Sequence, residues 1–263
     1  MKEQYGDIAV TMLDGHVVQC EIKRPPNNFF DHPLIRDLAD CFDDIDANPE
    51  ARAIVLCAEG KHFCAGANFS SDAREQTVRQ RTADERNPLY DEAVRLFSNQ
   101  KPVIAAVQGA AVGGGFGLAV MADFRVVCPS TRMTANFVKL GFTPGFGLTH
   151  TLPRLIGPQK AGLLFMTGRR IDGATAMEWG LGDVMADDDN VREKAIELAS
   201  EIAENAPLAL VSLRKQLRPD LAAAVDAVTD IESREQFILQ QTNDHKEGVK
   251  AVAERRPGNF TGT

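Results

Sequence analysis

AVGGGFGLAVMAD, Ala111 to Asp123, sets three consecutive glycines and a fourth, Gly117, inside an apolar run. Glycine in an element interior costs roughly 0.5–1 kcal/mol relative to alanine. The backbone at Gly113, Gly114 and Gly115 therefore either closes on something or packs unusually tightly. The residues before it, PVIAAV, read as a short buried strand, and Leu118 to Met121 read as a helix. A strand-to-helix junction leaves the first amide N–H groups unpartnered at the positive end of the helix. Such donors can hold an anion or a developing oxyanion. Neither GxGxxG nor GxxxxGK[ST] fits residues 109–118, and no GxSxG occurs in the chain, so nucleotide loops and a serine elbow fail on spacing.

Outward from this stretch, the same logic recurs. KHFCAGANF, residues 61–69, follows the apolar strand ARAIVLCAEG and is rich in small residues. Upstream, DIAVTMLDGHVVQCEI alternates around Asp14-Gly15, a hairpin signal. RPPNN at 24–28 ends it. Leu34, Leu38, Phe42 and Ile45 recur at helical spacing within His32 to Asn48. Residues 70–99 are polar, then weakly helical. FRVVC from Phe124 is another strand, and from about residue 158 the pattern is helical with stops at Gly168, Gly180, Pro207 and Pro219. Strands alternating with helices predict an α/β protein with a mostly parallel sheet and crossover helices. The organisation is an α/β core over 1–200 and a helical segment over 201–263.

Bulk composition excludes several classes. The formal charge of −8, with scattered Lys and Arg, argues against nucleic acid. No apolar run approaches the ~20 residues a membrane span needs, and MKEQYGDIAV resembles neither a signal nor a transit segment. The five cysteines lack CxxC spacing and read as reduced buried thiols, which predicts a cytoplasmic protein. Five histidines without an HExxH pair give no argument for a metal.

IVLCAEGKHFCAGANF followed by KPVIAAVQGAAVGGGFGLAVMADFRV resembles the crotonase superfamily, the enoyl-CoA hydratase/isomerase family. GFTPGFGLTHTLPRLIGPQKAGLLFMTGRRIDGATAMEWGLGDVM and NDHKEGVKAVAERRPGNFTG resemble its later blocks, so the likeness covers nearly the whole chain. It implies the crotonase fold, a superhelix of repeated ββα units. The helical C-terminal segment would serve trimerisation and closure of the CoA site. It implies homotrimers or dimers of trimers acting on acyl-CoA thioesters, with no cofactor beyond the coenzyme A of the substrate. Residue by residue, Ala65 and Gly114 match the positions whose backbone N–H groups bond the thioester oxygen. Phe63, Gly66, Ala67 and Asn68 match the substrate-contacting loop, and Arg24 matches a basic position near the CoA phosphates.

Two positions depart from the family. Where its hydratases carry a pair of glutamates, this chain has Gly117 and Phe137. Acid–base groups contribute typically about 10²–10⁴ each, so two-glutamate hydration is not expected. The remaining acids of the variable stretch are Asp72, Glu75, Asp84, Glu85, Asp91 and Glu92, and His150 lies further on. Asn68 stands where an aspartate is common, and Asp123 reads as structural. The resemblance thus implies an acyl-CoA lyase, isomerase or hydrolase working through an oxyanion-stabilised enolate. The alternative is a CoA-thioester-binding homologue with little or no activity. A serine protease is disfavoured because no serine lies at 114–117.

Overall fold

The computed structural model describes residues 1–68, 82 and 85–263. Its centre is a seven-stranded sheet in the order β1 (Gln4–Tyr5), β2 (Ile8–Met12), β3 (Val17–Ile22), β4 (Ala53–Ala58), β5 (Val103–Val107), β7 (Phe124–Val127) and β10 (Val184–Met185). The first three strands are antiparallel neighbours, and from β3 to β10 every pairing is parallel. The hairpin lies where the alternation places it, although its connection runs from Leu13 to His16. Gly15 and His16 both take the left-handed region there, at φ 72° and 67°.

The central strands read as continuous apolar runs because both faces are covered. Val18, Cys20, Ile22, Ile54, Leu56, Val103 and Ala105 point into the main core. Their alternates Val17, Val55, Cys57, Ile104, Ala106 and Val126 pack against Ala195, Ala199 and Ala203 of a helix at Val191–Ala203. The main core is closed by α1 (His32–Asp46), whose buried stripe is Leu34, Ile35, Leu38, Phe42 and Ile45. It is also closed by α2 (Pro88–Ser98). Asp31 and Asn87 cap these helices through Leu34 N and Leu89 N.

A second, three-stranded sheet was not legible as such. It orders β6 (Ala110–Val112), β8 (Arg132–Thr134) and β9 (Arg170–Asp172). Each strand is three residues long, too short to show a period. β6 pairs with β8 in parallel, and Cys64 forms a parallel bridge to Ala111 on the other flank of β6. The chain therefore repeats one step. β4 leads to Cys64, β5 to β6 and β7 to β8, with the first member in the large sheet and the second beside the small one. Helix α3 (Gly114–Met121) follows β6, and α4 (Leu148–Thr167) follows β8 after a 3₁₀ turn at Asn136–Leu140. These steps are the strand–strand–helix units implied by the resemblance.

Four further helices succeed one another after β9 and β10 are in place. They are the Val191–Ala203 helix (α6, after α5 at Gly173–Glu178), α7 (Pro207–Leu217), α8 (Leu221–Leu239) and α9 (Asn243–Ala253). The last three belong to the predicted C-terminal segment but do not stand apart. Asp123 takes Arg214 Nε at 2.8 Å and Arg218 Nη1 at 2.9 Å, fixing α7 to the end of α3, the structural role its position suggested. All five cysteines are free and buried. Among the described residues no helix is long and apolar enough to cross a membrane.

Candidate active site

Two backbone segments meet at the junction of the sheets. Cys64 N donates to Ala110 O and Val112 N to Cys64 O, so residues 64–68 run alongside β6 into the start of α3. The glycines make this approach possible. A Cβ on Gly115 would lie 2.3 Å from Cys64 O, and one on Gly66 2.6 Å from Val112 O. The question raised by the glycine run has a steric answer at Gly115 and a second one at Gly114. There a Cβ would fall 2.0 Å from Phe30 Cζ.

The amide inventory separates the donors. Gly113 N is used by Thr134 O, and Gly117 N closes the first turn on Gly113 O. Gly114 N opens the helix and has no acceptor among the described residues. In the neighbouring loop the expected donor is taken: Ala65 N bonds Asn27 O at 2.9 Å. Ala65 therefore does not offer a free N–H, and that expectation is corrected. The amide of that loop with no acceptor among the described residues is Ala67, where the chain bridges Phe30 in parallel. Sequence spacing could not distinguish Ala65 from Ala67, because the difference is one carbonyl contributed by the RPPNN turn.

Both donors lie on one large cavity of about 1330 Å³. Its walls include Arg24, Ala65, Gly66, Ala67, Asn68, Gly114 and Phe137, so most of the predicted site is brought together. Two predicted members are not there. Phe63 is fully buried in the core and does not line the cavity. Gly117 does not line it either, because Phe146 covers it: a Cβ on Gly117 would meet Phe146 Cβ and Cδ1 at 2.9 Å. Phe146 itself lines the cavity and holds φ 62°, a rare conformation for an aromatic residue. Phe137 lies beside Gly113, with its Cζ 3.7 Å from the position of a Cβ there.

The cavity has cationic residues at its rim and an aromatic lining that also carries polar side chains. Arg24 donates to Asp7 at 2.6 Å and Asp31 at 2.8 Å. Burial works against its charge, but Asp31 and Asp7 outweigh that, and the guanidinium titrates above its ordinary value. Exposed Lys246 and Lys250 join the rim from α9. That helix reaches the site because Gly248 lies against Leu140, where a Cβ would be 2.7 Å from the Leu140 carbonyl carbon. His245 Nδ1 also lies 2.7 Å from Leu140 O. Nothing in the periodicity of NDHKEGVKAVA marked these lysines, since they read as a solvated face.

Carboxylates are sparse. Among the described residues lining the cavity the one carboxylate is Asp31, already engaged by Arg24 and Leu34 N. Of the acids singled out in the sequence, Asp72, Glu75 and Asp84 lie outside the described residues. Glu85 accepts from Thr82 N, Asp91 pairs with Arg86 and Glu92 with Arg95, and none lines the cavity. His150 is off the cavity too. Its Nε2 is buried with no hydrogen-bond partner among the described residues, and burial lowers its pKa. Burial pushes the Cys64 thiol up to about 12, which removes it as a nucleophile. Among the described residues no group of three His, Cys, Asp or Glu could hold a metal ion.

Sequence reasoning missed a buried carboxylate and a buried polar pair. Glu232 of α8 accepts from Gly147 N at 2.8 Å, and from Thr149 N and Oγ1 at 3.1 and 2.6 Å. It thereby caps α4 from a remote helix and fixes the turn that carries Phe146. Tyr90 and Gln236 meet on the cavity wall. All three residues read from sequence as ordinary positions on amphipathic helices.

Strand–strand–helix steps bring the amide of Gly114, at the start of α3, and that of Ala67, in the neighbouring loop, onto one cavity whose lining also carries Arg24, Lys246 and Lys250, in an α/β fold. The chain belongs to the enoyl-CoA hydratase/isomerase family, whose model it matches over residues 13–263. A probable enoyl-CoA hydratase of Bacillus subtilis is 32% identical over 256 residues, covering 95% of this chain and 97% of that protein. The 1,2-epoxyphenylacetyl-CoA isomerase of Escherichia coli is 29% identical, covering 97% and 99%. The crystal structure of an enoyl-CoA hydratase/isomerase from Pseudoalteromonas atlantica superposes with a TM-score of 0.84 at 24% identity, covering 97% of this chain and all of that one. At that identity the likeness speaks for the fold.

Proposed function

We propose that this protein binds an acyl-CoA thioester and transforms it through charge that collects on the thioester oxygen. The observation that carries this reading is the pair of amides, Gly114 N and Ala67 N. They come from adjacent loops, line one cavity, and have no acceptor among the described residues. The carbonyl oxygen accepts from both. As a bond at the acyl α-carbon breaks, the electron pair moves into the thioester and the oxygen gains charge, which strengthens both hydrogen bonds. Removal of one such donor typically costs about 10²–10³ in rate. The nucleotide part of the ligand stays at the rim, where Arg24, Lys246 and Lys250 meet its phosphates, and the acyl group enters the aromatic interior.

The chemistry is not two-glutamate hydration. Gly117 and Phe137 occupy the places of the two acids, and Phe146 fills the space above the first. Decarboxylation, double-bond isomerisation, retro-Claisen cleavage and thioester hydrolysis all draw on the same oxyanion site. The relatives described above are named for two different activities, and the reaction follows from the acyl group and its proton-transfer partner. A second reading has its own support. The described cavity wall offers no carboxylate that is not already engaged, which suits a protein that binds the thioester with little turnover.

A substitution at Gly114 does not isolate the N–H, because any side chain collides with Phe30. The carbonyl itself is the probe. An acyl-CoA labelled with ¹³C at the thioester carbon is expected to show its C=O stretch at lower frequency when bound than in water, since two fixed donors polarise the bond. A bound spectrum identical to that in water would overturn the oxyanion assignment. Turnover of a thioester panel at high enzyme concentration then separates the enzyme from the binder.

We also propose a homo-oligomer, a trimer or a dimer of trimers in the cytoplasm. Leu208 and Leu217 on α7 are 85% and 69% exposed, and Met166 at the end of α4 is 84% exposed. Side chains of this kind favour a covered surface. Sedimentation equilibrium at micromolar protein is expected to return three or six times the chain mass, and a monomer would reject this.

A further inference from the structure

The cavity wall is not purely apolar. Tyr90 of α2 and Gln236 of α8 are 5% and 7% exposed and both line the cavity. Tyr90 Oη donates to Gln236 Oε1 at 2.8 Å, and Gln236 Nε2 donates to Thr143 O at 2.9 Å. This network fixes the amide orientation. A backbone carbonyl only accepts, so the nitrogen must face Thr143 and the oxygen must face Tyr90. One Nε2 hydrogen is left. It has no acceptor among the described residues.

The pair can be placed relative to the oxyanion site. A Cβ on Gly145 would lie 2.0 Å from Tyr90 Oη and 2.6 Å from Gln236 Nε2. The next residue, Phe146, covers Gly117 and meets Phe30 edge to face at 6.0 Å between ring centres. Phe30 in turn covers Gly114. The wall thus runs from the Gly114 amide, which has no acceptor among the described residues, through two phenylalanines to the Tyr90–Gln236 pair. The cationic rim is supplied by other, exposed residues. An acyl chain entering from the thioester is the part of the ligand that comes against Gln236.

We infer that Gln236, oriented by Tyr90, is a specificity-determining residue that selects acyl groups bearing an oxygen acceptor, such as a hydroxyl, keto or carboxylate oxygen, over plain alkyl chains. This rests on the acyl-CoA reading above. An alkyl chain would displace water from the remaining N–H and leave it unpaired, and a site built around a hydrogen bond rejects the analogue that lacks it. An oxygen-bearing acyl group would supply the acceptor and leave the Tyr90 and Thr143 bonds intact.

The test is calorimetry with matched ligands. Butanoyl-CoA and hexanoyl-CoA are compared with their 3-hydroxy, 3-oxo, terminal-hydroxy and terminal-carboxylate counterparts of the same chain length. The best oxygen-bearing ligand is expected to bind about tenfold more tightly than its alkyl match, the value of one hydrogen bond made in place of one left unmade. Gln236→Leu and Gln236→Met are expected to bring that ratio to about one while alkyl affinity is kept or raised. A merely structural role for Gln236 would lower both affinities together and leave the ratio standing, which would overturn the inference. Equal binding of alkyl and oxygenated ligands by the native protein would overturn it too, with acyl-CoA binding itself intact. Absence of binding by every ligand at millimolar concentration would remove the acyl-CoA reading, and this inference with it.

Discussion

Gly117→Glu combined with Phe137→Glu and Phe146→Gly is expected to hydrate crotonyl-CoA about 100-fold faster than the parent, whereas the double variant that keeps Phe146 is expected to gain nothing. The three nearest atoms to a Cβ at Gly117 all belong to the Phe146 side chain, at 2.9, 2.9 and 3.1 Å. A glutamate there meets a fully packed ring, and overpacking of this kind costs about 1–3 kcal/mol before any charge is buried. Removing the ring clears all three contacts. Glycine also suits the backbone at 146, whose φ of 62° costs an aromatic residue about 1 kcal/mol or more. Against this, Phe146 packs on Phe30 and Phe97 with ring centres 6.0 and 6.3 Å away. Truncating a buried phenylalanine costs about 3–5 kcal/mol, part of which the carboxylate side chain introduced at position 117 offsets by refilling the space. The variant must be assayed where it is shown to be folded, by its circular dichroism and its retained affinity for butanoyl-CoA. The gain follows from supplying the proton-transfer pair to the proposed oxyanion site, on the scale of one acid–base group. A folded triple variant that binds crotonyl-CoA and hydrates it no faster than the parent would show that positions 117 and 137 do not face the acyl double bond.

That design shows where sequence reading stops. Many of the elements were legible, although the helical pattern read from about residue 158 misses the start of α4 at Leu148. Leu34, Leu38, Phe42 and Ile45 announced α1, and the apolar runs at 53–58, 103–107 and 124–127 announced the parallel strands. Each is fixed by a local period or by burial on both faces. The glycine junction was legible as a place of close approach, since a run of residues without side chains leaves room only for a neighbour, here Phe30 and the Cys64 carbonyl. The emptiness of Gly117 was misleading. A residue without a side chain says nothing about what fills its space, and the filler, Phe146, lies 29 positions further on. Ala65 and Ala67 carry identical side chains on one loop, and only the carbonyl of Asn27 separates them. Tyr90, Glu232 and Gln236 were illegible for another reason. They are polar residues on helices that look solvated until α8 is laid against α2 and the 143–149 turn.

Glu232 gives the second large effect: the protein is expected to lose about 2 kcal/mol of stability relative to Glu232→Gln between pH 5.5 and 8. Burial raises its carboxyl from the ordinary 4.5 to about 7, while the bonds from Thr149 Oγ1 and from Gly147 N and Thr149 N pull the other way without prevailing. Between those two values the folded protein holds a proton that the unfolded chain has released, so stability falls as pH rises through the interval. The contribution is complete below pH 4.5 and gone above about pH 7. The whole interval is worth about 3 kcal/mol, of which a titration beginning at pH 5.5 sees most. Glu232→Gln cannot ionise. It keeps an oxygen for one backbone N–H and a nitrogen that can donate to Thr149 Oγ1, so its own cost is a lost hydrogen bond that does not change with pH. His150 next to this turn has its pKa lowered by burial, but it is present in both proteins and cancels in the difference. Urea unfolding of the pair across pH 5.5, 6.5, 7.5 and 8 therefore isolates the one carboxyl. Parallel stability curves would mean that Glu232 is already ionised throughout. A difference of the opposite sign would mean that the three donors at the head of α4 hold the carboxylate more strongly than burial opposes it, and the turn carrying Phe146 would then be tightest at high pH rather than low.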